Sequence, residues 1–205
     1  MTMQMAMPAN TLALTEPNGW PTQGAWRYED YLRLPDDGKR YEIIEGVLYV
    51  ANAPSVEHQF TVSEIHFALK LFVREKQLGQ VFTAPLEVHL SDTSRPVQPD
   101  LLFISADRLP PHGAKVFDGA PDLLVEVVSP TSIRLDRNVK VDAYEAAGVA
   151  EYWIVDTKTR SVEVYTLARG EYALHGQYTG DELITSALLP ELQIKTSLLF
   201  QPQNV

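Results

Sequence analysis

Two carboxylates in this 205-residue chain stand where strand residues are usually apolar. Glu126 interrupts the run Leu123-Leu124-Val125-Glu126-Val127-Val128, and Asp100 follows Pro99 at the head of Leu101-Leu102-Phe103-Ile104. A strand apolar on both sides is buried, and burying an unpaired carboxylate costs several kcal/mol. Glu126 therefore has two readings, an ion pair with Arg or Lys or a ligand for a hard divalent cation; for Asp100 the Pro-Asp pair is also an ordinary turn signal. Further on, Asp136, Lys140 and Tyr144 recur at spacing four, which on a helix places them on one face. Lys140 either bridges Asp136 on a solvated face or returns an ammonium group over the acids.

The elements that must position these groups follow from periodicity and punctuation. Tyr28 to Leu34 reads as a short helix stopped by Pro35. Tyr41 to Val50 reads as a hairpin turning at Glu45-Gly46, in which Glu42 shares a face with Ile44, away from Tyr41 and Ile43. Ser55 caps a helix from Val56 to about Leu78, with Ile65, Leu69, Phe72 and Val73 at helical spacing and Gly79 as its stop. Strands are expected over Gln80–His89, Pro99–Ser105, Asp122–Val128 and Glu151–Asp156. A helix from Arg134 to Ala147, ended by Gly148, joins the last two as a crossover, and Ser161–Leu167 with Glu171–Tyr178 forms a further hairpin. The fold class is α/β (α+β), a mixed sheet flanked by helices. Residues 1–24 are expected to be a flexible leader, 25–200 one domain and 201–205 a tail.

Composition narrows the function. With 45% apolar and 21% charged residues the chain suits one globular core. It has no cysteine, which excludes disulfides, thiolate zinc sites and cysteine nucleophiles and fits a reducing cytoplasm. No apolar run approaches the roughly 20 residues of a membrane span. The net charge of −10 argues against broad, sequence-blind attraction to a polyanion, yet carboxylates are what divalent ions require. His66, His89, His112 and His175 lack ligand spacing, Ser129 before Pro130 reads as a turn, and no Gly-rich phosphate loop is present. Tyr144, Tyr152 and Trp153 read as core.

In order and spacing, several pieces resemble the restriction-endonuclease-like proteins, long filed as a domain of unknown function, within the PD-(D/E)xK nuclease superfamily. They are Arg40-Tyr41-Glu42-Ile43-Ile44-Glu45-Gly46, His58, Pro99-Asp100, Val125 to Thr131, and Asp136, Lys140 and Tyr144 leading into Gly148 to Asp156. The resemblance covers about Tyr28 to Leu167 and implies a restriction-endonuclease-like core with Asp100 and Glu126 as ligands of Mg²⁺ or Mn²⁺ and Glu42 as an additional acid. The superfamily pattern expects a Lys two residues after Glu126, where Val128 stands. Similar proteins carry a Lys on the following helix, the place of Lys140. The implied activity is metal-dependent hydrolysis of DNA phosphodiester bonds, with Lys140 orienting water or adding charge near the phosphate. His58 either binds substrate or an acid of the site, or packs the helix end. A homodimer is expected, because two copies about a twofold axis serve both strands of a duplex. The rival reading is a non-catalytic binding or assembly module that keeps the acids in an ion-pair network with Lys140.

Overall fold

The computed structural model describes residues 19–51, 53–128 and 135–201, with backbone only at Leu135 and Asp136. Strands β1 (Arg40–Ile44) and β2 (Val47–Ala51) form the expected hairpin. Its turn residues Glu45 and Gly46 have φ of +50° and +70°, the left-handed pair that suits the twist of a two-residue hairpin. The turn is also a docking point. The Gly46 carbonyl accepts from Gly24 and Trp26 N–H at 2.8 and 2.9 Å, and Trp20 stacks on Trp26 at 5.6 Å. Packed chain thus starts before Ala25, because residues 20–24 have an acceptor and an aromatic partner to order them.

Helix α1 is one turn, Tyr28–Tyr31, shorter than the expected Tyr28 to Leu34. Helix α2 (Val56–Glu75) is capped by Ser55, whose Oγ accepts from His58 N–H at 3.1 Å. It ends three residues before Leu78: Gln77 takes φ of +57°, and Gly79 opens strand β3 (Gly79–Thr83) instead. Gly79 is required by the sheet, since a Cβ there would lie 2.1 Å from the Ile104 carbonyl oxygen. The expected strand Gln80–His89 is two strands. Pro85 has no N–H for a ladder, so β3 stops at Thr83 and β4 (Glu87–His89) leaves to pair in parallel with β6 (Val116–Asp118), a strand missed in the sequence.

The main sheet has six strands in the order β10-β9-β8-β7-β5-β3, from β5 (Leu101–Ser105), β7 (Leu123–Val128), β8 (Glu151–Asp156), β9 (Ser161–Ala168) and β10 (Glu171–Thr179). Within this sheet, among the described residues, only β7 and β8 pair in parallel, with a π-helical turn (Leu135–Val139) and α3 (Lys140–Ala147) between them in the chain, so the sheet is mixed and the crossover is present. Gly148 ends α3 with φ of +85°, as expected. Alternation splits the sheet into two covered faces. One carries Leu101, Phe103, Val125 and Trp153 under α2 and the C-terminal β11 (Leu183–Thr185) and β12 (Gln193–Lys195), a pair not foreseen. The other carries Leu102, Leu124, Val128 and Ile154 under α3 and the β1–β2 hairpin. No helix among the described residues is long and apolar enough to cross a membrane.

Candidate active site

Glu126 sits in the middle of β7 with 1% of its surface exposed, on the face that also bears Leu124 and Val128. The β5–β7 register pairs Leu101 with Val125, so one step further Asp100 stands opposite Glu126. Residues directly opposite on antiparallel strands share a face. The two acids therefore point to the same side of the sheet, under α3 and the hairpin.

Lys140 comes to them from α3. Its Nζ lies 2.8 Å from Glu126 Oε1 and 3.3 Å from Glu42 Oε2, and all three side chains are buried. One turn later the Tyr144 hydroxyl donates to the same Glu126 oxygen at 2.6 Å. Tyr144 is buried as core, but its role is also polar. The signal was the spacing of four from Lys140, which puts both donors on one helix face. The bridge from Asp136 to Lys140 concerns a side chain outside the described residues, as do Ser129, Pro130 and Thr131.

Glu42 reaches the site because the hairpin docks on the segment before Asp100. Ile43 N–H donates to the Pro96 carbonyl at 2.9 Å and Gln98 N–H to Glu42 Oε1 at 2.6 Å. Ile44 joins the core beneath Tyr144, whereas Tyr41 and Ile43 pack with Trp26, so the alternation along β1 is the one expected. Glu45 turns away, its carboxylate accepting from Ser94 Oγ at 2.8 Å.

Asp100 is held by three donors: Arg40 Nη1 at 3.2 Å, Val127 N–H at 2.9 Å and His58 Nε2 at 3.1 Å. Burial works to raise its carboxyl, but the His58 hydrogen bond and the Arg40, His58 and Lys140 charges outweigh it and hold the group at about 2. The guanidinium of Arg40 is pulled down by burial and more strongly raised by Glu42, Asp100 and Glu126. Arg40 is a site residue that the sequence reading did not single out; its alternation with Glu42 along β1 was the available signal. His58 contacts an acid of the site through the first turn of α2 that Ser55 caps.

Three buried acids, Glu42, Asp100 and Glu126, meet two full cations, Arg40 and Lys140. Counted over the described residues alone, that leaves one excess negative charge whenever His58 is neutral, an environment that favours a bound cation. Among the described residues no three His, Asp or Glu side chains form a ready-made metal cage. Mg²⁺ needs no more than one or two carboxylates, with water and substrate oxygens completing its shell. The Asp100 and Glu126 pair fits that requirement.

Comparison with known proteins bears on the fold and the family. The curated proteins contain no match. Among solved structures, a crystal structure described as a "putative nuclease belonging to DUF820" from Anabaena variabilis superposes with a TM-score of 0.71 at 22% identity, over 85% of this chain and 97% of that one, and shares the fold. The sequence profile of Uma2, described as "Putative restriction endonuclease", matches residues 28–197, and by that match the chain belongs to this restriction-endonuclease-like family.

Proposed function

We propose that this chain is a metal-dependent endonuclease that hydrolyses DNA phosphodiester bonds. The observation that carries the reading is the Lys140 ammonium, delivered from α3 to the two glutamates on the sheet face that Asp100 shares. It is the cation that Val128 does not supply. Asp100 and Glu126 would hold Mg²⁺ or Mn²⁺, which when bound polarises the phosphoryl oxygen and lowers the pKa of water. Arg40, His58 and the Val127 N–H fix Asp100 in orientation, and Tyr144 does the same for Glu126. Lys140 Nζ then stands ready to orient the attacking water and to offset charge on the phosphate as it builds. Glu42 restrains that ammonium as a second carboxylate partner. A pair of such chains about a twofold axis, in a reducing cytoplasm, would address both strands of a duplex.

The test is cleavage of supercoiled and linear duplex DNA with Mg²⁺, with Mn²⁺ and with EDTA. Nicking or linearisation that depends on the ion, and that Asp100→Asn abolishes, is the expected result. A second reading is favoured by one observation: each acid already has a cationic partner, Lys140 on Glu42 and Glu126, Arg40 on Asp100. Such a network of paired acids suits a non-catalytic binding module. Calorimetric titration with Mn²⁺ separates the two. The nuclease binds the ion and Glu126→Gln weakens that binding; a pure ion-pair network binds none.

A further inference from the structure

Beside the acids lies a cleft of about 550 Å³, the size of a small-ligand site. Arg40 and Gln98 belong to both: Arg40 holds Asp100, and the Gln98 backbone holds Glu42. Inside the cleft, Glu87 is fixed by two phenols. Tyr31 donates to Oε1 at 2.7 Å and Tyr28 to Oε2 at 3.1 Å, the two rings being stacked at 5.7 Å. Burial and the hydrogen bond to Glu87 raise the Tyr31 phenol, so it stays a donor.

This carboxylate is oriented without being neutralised. Among the described residues its ion-pair partner within 4 Å is the His89 ring, at 3.8 Å, and that ring is already 3.1 Å from Asp118. No Lys or Arg salt bridge to Glu87 is present among them. Each Glu87 oxygen accepts one phenol and keeps a second lone pair, so the group presents two parallel acceptors. Lys115, exposed, supplies positive charge along the same cleft, next to Lys39, whose ammonium also lies 2.7 Å from Asp37. A ligand that fits has paired N–H donors at one end and a phosphate at the other.

We propose that the cleft is a subsite for one unpaired guanine nucleotide next to the scissile phosphate, with Glu87 accepting from guanine N1–H and N2–H. Guanine is the base whose Watson–Crick edge offers two adjacent donors. Adenine and cytosine set an acceptor beside their amine, and thymine flanks its N–H with two carbonyls, so each turns a lone pair on the carboxylate. That edge is free only in a single strand or an extruded nucleotide. Lys39, Arg40 and Lys115 would meet the phosphates on either side. The subsite rests on the nuclease reading, which brings a strand across Asp100 and Glu126.

Fluorescence anisotropy in EDTA tests the subsite without cleavage. The probes are labelled single-stranded hexanucleotides of alternating dT and dG, and the same strand with hypoxanthine replacing guanine, which removes the N2 amine alone. The expected result is about tenfold tighter binding of the guanine strand, as for one hydrogen bond to a charged group. Glu87→Ala abolishes that preference, and Lys115→Ala weakens both strands alike. Equal affinity for the two strands, no binding of either, or a preference that survives in Glu87→Ala overturns the subsite. The strand comparison uses the parent protein, so it stands even where a Glu87 variant does not fold. Cleavage with Mg²⁺ is read separately: preference without cleavage retains the subsite and removes the nuclease, and cleavage without preference does the reverse.

Discussion

Lys140 is 1% exposed and lies within 3.3 Å of two carboxylates, so its removal does more than delete a positive charge. Lys140→Met removes the buried ammonium that Glu42 and Glu126 share. A loss of about 3–5 kcal/mol in urea unfolding is expected, as for other broken buried pairs. Adding Glu42→Gln should restore part of it, because one of the two charges that Lys140 had bridged is gone; losses that simply add would show that the residues are not coupled. Cleavage should fall at least about 10²-fold in both proteins, the rescue of folding separating stability from chemistry. Asp100 gives a pH signature. Its folded carboxyl is held below its ordinary 3.8, at about 2, so its contribution is complete above the ordinary value and is lost as pH falls from about 4 through 2. The shift amounts to roughly 2 kcal/mol. Asp100→Asn should flatten that part of the acid unfolding profile, and an unchanged acid limb would mean that other carboxylates govern it.

At the scale of elements, the hairpin is what brings Glu42 and Arg40 to the sheet. Its turn is fixed from two sides, Gly46 N–H donating to the Thr93 carbonyl at 2.8 Å and the Gly46 carbonyl receiving Gly24 and Trp26. A Cβ on Gly46 would fall 2.4 Å from the Gly24 carbonyl oxygen, at a φ that already disfavours side chains. Gly46→Ala should therefore cost about 1–3 kcal/mol. Hydrogen exchange should rise first at Gly24 and Trp26, and a uniform rise across the main sheet would place the damage elsewhere. The interrupted strand shows the same level of control. Pro85 stops β3, and only because β4 turns out of the sheet does Glu87 come to Tyr28 and Tyr31.

At the scale of the whole molecule, the C-terminal segment closes the α2 side of the core, with Ile184, Leu189, Leu192, Ile194 and Leu199 buried there. One acid joins it to the sheet. Glu151, fully buried on β8, accepts from Trp153 Nε1 at 2.7 Å and from Ala187 and Leu188 N–H at 2.9 and 3.0 Å. Glu151→Leu orphans three donors and should cost about 2–4 kcal/mol. Limited proteolysis is expected to cut first between β11 and β12. A cleavage pattern identical to the parent's would show that apolar burial alone retains the segment.

The sequence by itself determined the local facts. Strand alternation put Glu126 in a buried strand and Glu42 on the face of Ile44, Ser55 and Gly148 marked helix ends, and spacing four put Lys140 and Tyr144 on one helix face. These follow from periods of 2 and 3.6 residues, which any short window displays. Only the tertiary structure decided that Asp100 stands opposite Glu126, that Lys140 meets Glu42 as well as Glu126, and that Arg40 and His58 converge on Asp100. The small strands β6, β11 and β12 belong to the same class: three residues each, they exist through their partners. Tyr28 and Tyr31 likewise meet Glu87 across 59 and 56 residues of chain. Register and docking between distant segments are set by how whole faces pack together, and no local pattern carries that information.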